Sequence, residues 1–278
     1  MGFVRSFRLL AYEIEIVTDS EAVARRLDYL IHDVPQPGAV TTRHHYRVES
    51  REDGFSITED GRPLGAEPDA DAVLAHLYWQ VHKTADSQFT NAVAIHAGTG
   101  TVNGRRFLVA GPKFAGKSTL MTRLIYHGAR VEGDEMAVLT DGVVTAYPRR
   151  FHLREDSLTY LPELAALVPD LPTARGGVGE RVYSLDPGIA GVEWRIERGP
   201  VGAIYFLDRG HDGATRIVPC GKVEMCRRLI PQCVAKGMAG GGLVAQVAAM
   251  VEMADCFVLI NENPEQAAAA LVRCLARS

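Results

Sequence analysis

The alternation of apolar and polar positions divides this chain near residue 88. Before that point, Phe7 to Val17 alternate with the period of a half-buried strand. Thr18-Asp19-Ser20 is a helix-start cluster, and Ala22, Val23, Leu27, Leu30 and Ile31 follow it near helical spacing. Pro35, Pro37 and Gly38 break the chain. Tyr46 to Glu49 and Phe55 to Thr58 predict a hairpin around Glu52-Asp53-Gly54, and Glu59-Asp60-Gly61 marks a further turn. Asp69 to Lys83 predicts a helix with Val73, Leu77 and Val81 on one face. The pattern is that of a small α+β N-terminal domain, residues 1-88, with no evident chemistry of its own.

From Ala92 the texture is α/β, and a second domain is expected over 89-278. Ala92 to His96 and Arg105 to Ala110 predict strands joined through Asn103-Gly104, a tight-turn dipeptide. A glycine-containing loop follows, then a helix carrying Leu120, Leu124 and Ile125 that ends near His127-Gly128. Val131 to Leu139 is extended in texture, and Gly142 to Ala146 predicts the next strand. Gly199 to Leu207 and Asp255 to Ile260 are further strand-like runs. Helices are expected near Lys222 to Cys233, Leu243 to Met253 and Pro264 to Leu275, with Gly237 to Gly242 as a turn before the second of these.

Composition narrows the function classes. The 278 residues carry 30 Lys+Arg against 34 Asp+Glu, a formal net charge of −4. No global positive field exists to hold phosphate backbones, so no nucleic-acid partner is expected. No apolar run reaches membrane-spanning length, so no membrane association is expected. Met1 to Tyr12, interrupted by Arg5 and Arg8, is too short for a secretory signal. The five cysteines are odd in number and form no CxxC, which fits buried thiols in a reducing cytoplasmic setting. His44-His45 has no further ligand at metal-site spacing, and no metal role is assigned to it.

Gly111-Pro112-Lys113-Phe114-Ala115-Gly116-Lys117-Ser118 matches G-x-x-x-x-G-K-S between an apolar strand and an amphipathic helix that continues through Thr119. Backbone N–H groups of such a loop and helix N-terminus present partial positive charge to phosphate oxygens. Lys117 would supply a full charge at the β/γ phosphates, and the Ser118 hydroxyl would ligate Mg²⁺. The expected cofactors are therefore ATP, or another nucleoside triphosphate, and Mg²⁺. Beyond the helix lies Glu132-Gly133-Asp134-Glu135. A helix from Lys117 to about His127 travels roughly 16 Å from the loop. Extended residues 129 to 134 recover roughly 20 Å. Asp134 and Glu135 can thus return beside the phosphates, one to accept a proton and one to hold the metal. Spacing alone equally allows a solvated acidic turn.

The segment from Ile95 to Asp156 resembles the catalytic domain of HPr kinase/phosphorylase and its wider set of HPr-kinase-like proteins. The resemblance runs through His96-Ala97, Gly111 to Ser118, the helix to Gly128, and Arg130 to Glu135, then more loosely through Tyr147 to Arg154 and Ala203 to Asp208. It implies a P-loop α/β fold related to phosphoenolpyruvate carboxykinases. It implies His96 near the transferred phosphate, Asp134 as base toward a substrate serine, and Glu135, in place of the family's Asp, as metal ligand beside Ser118. The family's substrates are a serine on a small carrier protein or, in peptide-natural-product pathways including those of lasso peptides, on a precursor peptide. Family enzymes are often hexamers, so a homo-oligomer is implied. Lys113 and Phe114 depart from the small residues and inner glycine usual in the loop. The family's Glu-x-Arg-Gly-x-Gly signature has no clean match; Arg175 to Glu180 is nearest and lacks the preceding acid, so the resemblance does not extend to the reverse phosphorylase reaction. The first 88 residues do not read as the regulatory domain of the bacterial enzyme, and HPr itself is not the expected substrate.

Arg149, Arg150 and Arg154 are candidates to clamp phosphate or an acidic substrate, or form a solvated face. Arg175 to Arg181 reads as a loop closing on substrate or as a plain connection, and Lys236 is a further candidate. The function expected is a Mg²⁺/ATP-dependent kinase acting on a serine hydroxyl of a peptide or small protein. A regulatory nucleotide-binding protein without transferase activity, or a free-metabolite kinase, are the alternatives. A kinase needs the Asp134 carboxylate, whereas a binding module tolerates Asn there.

Overall fold

A computed structural model describes residues 2–176, 179–208 and 214–277. The first region is a five-stranded sheet, in the order β1-β2-β3-β4-β5, backed by two helices. β1 (Phe3–Leu9) and β2 (Tyr12–Thr18) form a hairpin whose turn begins at Leu10, with φ 56°. The sequence pattern predicts one strand over Phe7 to Val17. A two-residue turn leaves the period-2 alternation unbroken, and no Gly or Asn announces it. α1 (Glu21–Leu27) begins at Ser20, whose hydroxyl accepts from the Val23 N–H. It leads to β3 (Thr42–Arg51), which lies parallel to β2. β4 (Gly54–Glu59) and β5 (Arg62–Glu67) complete the sheet through two hairpins, the second turning at Asp60 and Gly61 with positive φ. α2 (Ala70–Ser87) is capped by Asp69 and lays Val73, Leu77 and Val81 on the sheet. Their core also contains Tyr147, from well beyond residue 88, so the two regions share packed surface.

β6 (Ala92–Ile95) and β7 (Ala97–Val102) are separated by the single residue His96 and belong to different sheets. β8 (Arg105–Ala110) pairs with β7 through the Asn103-Gly104 turn. The pattern misses β7 because it reads Ala-Gly-Thr-Gly-Thr-Val. Those glycines permit close approach: a Cβ on Gly98 would meet Met121 at 2.7 Å, and one on Gly100 would meet the Arg130 carbonyl at 2.5 Å. α3 (Lys117–Tyr126) follows the loop, and Gly128 with φ 82° turns the chain into β9 (Arg130–Gly133). β10 (Ala137–Thr140), β11 (Val143–Ala146) and β12 (Phe151–Arg154) come next, then β13 (Thr173–Arg175), β14 (Arg181–Leu185) and β15 (Arg198–Gly199). β12, β14 and β13 form a small sheet of their own.

The remaining elements are β16 (Ala203–Asp208), β17 (Arg216–Pro219), α4 (Lys222–Leu229), β18 (Cys233–Lys236), α5 (Gly240–Met253), β19 (Asp255–Ile260) and α6 (Pro264–Ala276). The glycines Gly240 to Gly242, read from sequence as a turn, are the first turn of α5. The central sheet has the order β17-β19-β16-β8-β7-β9, with β19, β16 and β8 parallel. Both its faces are covered, which is why those strands read as continuous apolar runs. Phe107, Val109, Tyr205 and Leu207 face α3 and α6, while Leu108, Ala110, Ile204 and Phe206 face α4 and α5. A second antiparallel sheet, β15-β11-β10-β6-β18, joins the latter core. Inside the fold, Arg106 on β8 donates to Glu132 on β9 at 2.5 Å, and Glu132 is 0% exposed. Among the described residues no helix is long and apolar enough to cross a membrane.

Candidate functional site

The loop from Gly111 to Gly116 joins the C-terminal end of β8 to the N-terminus of α3. Gly116, with φ 89°, occupies the left-handed region that only glycine enters freely, and no side chain caps the helix. The N–H groups of the first turn are therefore available to an anion. Phe114 also has a positive φ, 67°, which is strained for an aromatic residue. Its ring projects outward, with the Lys113 ammonium and the Arg154 guanidinium each 5.0 Å from its centre. Lys117 is buried, and its Nζ donates to the carbonyls of Gly111 at 2.8 Å and Pro112 at 3.1 Å. Burial pushes its pKa down, and Glu135 and Asp134 push it back up.

The strand switch at His96 places that ring where the two large sheets meet. Its Nε2 lies 3.6 Å from Glu135 Oε1. The chain leaves β9 at Gly133 and immediately presents the two acids in different settings. Asp134 is 2% exposed, and neither carboxylate oxygen has a hydrogen-bond partner of normal geometry. Burial pushes its carboxyl above the ordinary value; Arg149 opposes this, Glu135 adds to it, and the Ser118 hydroxyl opposes it more weakly. Glu135 is half-exposed at the cleft. Burial works against its charge, but His96, then Arg149 and Lys117, outweigh that and hold the carboxyl at about 2. Arg149 joins the pair: its Nη2 is 3.5 Å from Asp134 Oδ1 and 3.4 Å from Glu135 Oε2. Its Nη1 donates to the Tyr78 hydroxyl on α2 at 2.9 Å.

These groups surround a cleft of about 540 Å³ lined by His96, Lys113, Phe114, Gly116, Lys117, Ser118, Thr119 and Glu135, together with His152 and Arg154 of β12. Gly111, Pro112 and Ala115 shape the loop without lining this cleft, and Asp134 lies a layer beneath it. The three arginines expected as a clamp divide. Arg149 is buried against the acids, Arg150 donates to the Ile31 and Ser184 carbonyls, and only Arg154 faces the cleft. His152 also lines the cleft, a place its sequence neighbourhood does not signal; burial, then Arg149, hold its pKa well below the ordinary value, so the ring is neutral. Its ring centre is 4.7 Å from that of Tyr29, and no sequence spacing signals this packing between the two regions. Of the stretch Arg175 to Glu180, Arg175, Gly176 and Glu180 line an adjoining cavity of about 810 Å³, while Gly177 and Val178 lie outside the described residues. His44 Nδ1 faces Glu59 at 3.1 Å and Asp60 at 3.2 Å, far along the chain from this cleft.

No family model matches the sequence. No curated protein matches it either. Among solved structures, the chain is similar to the Hpr(Ser) kinase/phosphatase from Coxiella burnetii. That match covers 66% of this chain and 97% of the other, at 11% sequence identity and a TM-score of 0.33.

Proposed function

We propose that this protein is a Mg²⁺/ATP-dependent kinase that phosphorylates a serine hydroxyl of a peptide or small protein. One observation carries the reading. Beside an anion-ready helix N-terminus, two adjacent carboxyls sit in opposite settings, Asp134 buried beneath the cleft and Glu135 half-exposed on it against His96, and their acidities diverge accordingly, one upward and one down to about 2. Such divergence separates a proton acceptor from a permanently charged ligand. The donor set suits the implied groups. The Ser118 hydroxyl and the ionised Glu135 are hard oxygen donors of the kind Mg²⁺ takes, and the loop N–H groups with Lys117 suit a polyphosphate. Ser118 and Glu135 would hold the metal, which supplies charge neutralisation at the transferred phosphate.

The chain's own residues do the rest. Asp134, with raised basicity and a long contact to Arg149, orients the serine hydroxyl and takes its proton late in transfer. His96 steadies Glu135 and faces the same space. Arg149 opposes the rise in Asp134's pKa that burial produces, favouring the ionised carboxylate. Transfer of labelled γ-phosphate from MgATP to serine peptides tests the reading. Nucleotide binding with no acceptor ever labelled would favour the regulatory alternative.

Two expected results follow from this geometry. Lys117→Ala removes the loop's buried cation. MgATP affinity falls about thirtyfold, or about 2 kcal/mol, by calorimetry. An unchanged dissociation constant would remove Lys117 from the site. The second concerns pH. Because Asp134's pKa is raised above its ordinary 3.8, the acidic limb of kcat/KM lies above that value. Arg149→Gln removes the group that pulls the pKa down, so the limb moves to higher pH; Arg149→Lys keeps the charge and largely keeps the limb. A limb unmoved in the Gln variant would separate Arg149 from Asp134.

A further inference from the structure

His96 and Glu135 line two hollows. One is the cleft over the loop. The other, of about 510 Å³, is a groove between α2 and β18 that shares these two residues with the cleft. A transferred phosphoryl group needs its attacking and leaving oxygens roughly in line, so an acceptor approaches opposite the nucleotide. The groove meets the cleft at His96 and Glu135, the residues such an approach would pass.

Its shape and chemistry restrict what enters. From Tyr78 to Asp86 along α2 is about 12 Å. From Gln232, just before β18, to its end at Lys236 is about 13 Å. Both lengths equal about four residues of extended chain. β18 is the last strand of its sheet, pairing with β6 on one side, and its other edge has no backbone partner among the described residues. The groove lies over the face of this outermost strand: Gln232, Val234 and Lys236 line it at alternate positions, and Ala94, the partner of Val234 on β6, lines it beside them. The lips carry large apolar groups left in solvent: Trp79 is 58% exposed and Val234 is 57% exposed. Met136, half-buried, also lines the groove. The Lys83 ammonium sits 4.3 Å from the centre of the Trp79 ring, and the Asp86–Lys236 ion pair ties α2 to β18.

Resting on the kinase reading, we propose that this groove is the acceptor site. It takes a short extended peptide segment, with a large apolar residue beside the serine seated against Trp79 and Val234. A free metabolite would fill only its inner end and leave both lips uncovered.

The test uses the full-length protein and synthetic serine peptides with Leu, Trp, Ala or Asp next to the serine. Leu and Trp peptides are expected to show the lowest KM. Trp79→Ala and Val234→Asp should each raise acceptor KM about tenfold, the worth of a modest interface anchor, with the MgATP dissociation constant unchanged. A second readout is independent of transfer. Trp79 is one of two tryptophans, and Trp194 is 6% exposed. Peptide binding should therefore shift the fluorescence of Trp79, including with a Ser→Ala peptide. Unchanged KM in both variants with no fluorescence shift overturns the groove assignment, as does free serine matching the best peptide. A fluorescence shift with no peptide ever labelled supports the groove and overturns the kinase reading alone.

Discussion

Replacing Asp134 by Asn is expected, on the proposed kinase reading, to slow phosphate transfer by roughly 10²–10⁴ while nucleotide affinity stays within about threefold. The amide keeps the shape of the carboxyl and removes the proton acceptor. The size of the loss follows from the placement of the residue. Asp134 is almost fully buried beneath the cleft, held at long range by Arg149 at 3.5 Å, so a hydroxyl must reach past Glu135 to use its basicity. Glu135→Gln is the informative companion. Glu135 is held ionised at about 2 and faces the cleft, so its loss should raise the Mg²⁺ concentration at half-maximal rate more than it lowers the rate at saturating metal. Single-turnover rates across a Mg²⁺ titration separate the two. Near wild-type transfer by the Asn variant would end the assignment of Asp134 as base.

Arg106→Met is expected to destabilise the fold by about 3–5 kcal/mol, the usual cost of leaving one partner of a buried ion pair uncompensated. Glu132 is 0% exposed, its Oε1 already lacks a partner, and Arg106 supplies its close hydrogen bond. Burial pushes the Glu132 carboxyl upward and Arg106 opposes it. Without the arginine the folded-state pKa rises further. A carboxyl raised above its unfolded value binds protons preferentially in the folded state, so the variant loses stability as pH rises. Denaturant unfolding should show a larger deficit at pH 8 than at pH 5. Adding Glu132→Leu should recover most of the loss, because two apolar side chains leave no orphaned charge. Equal midpoints for wild type and Arg106→Met at pH 8 would show that the pair contributes nothing.

Residues in the same short stretch were legible from sequence. Gly111 to Ser118 carries its glycine requirements, its lysine and its strand-to-helix setting within eight positions, and the caps at Ser20 and Asp69 are equally local. Features made by distant residues were not. Arg149 meets Tyr78 across 71 positions, and nothing in either neighbourhood encodes that contact. Glu132, Asp134 and Glu135 look alike as an acidic run, yet strand direction and burial send the first to Arg106 and the others toward the loop. His96 gains its position from a one-residue break between strands in different sheets, which the apolar pattern reads as one uninterrupted strand end. The lone turn at Leu10 was hidden for the reason that hides most such turns: alternation survives a two-residue reversal.

The self-occupied state of Lys117 bears on which anions the loop accepts. Its ammonium is already held by two neutral carbonyls, so an incoming anion must exchange those bonds rather than simply add to them. An ion offering one oxygen displaces one carbonyl for a small net gain. A triphosphate offers several oxygens at once and also meets the helix N–H groups, so its gain grows with each contact. On the proposed nucleotide reading, the loop would thus screen ligands by valency: inorganic phosphate and sulfate would compete poorly, and a polyphosphate would win without any contact to its base.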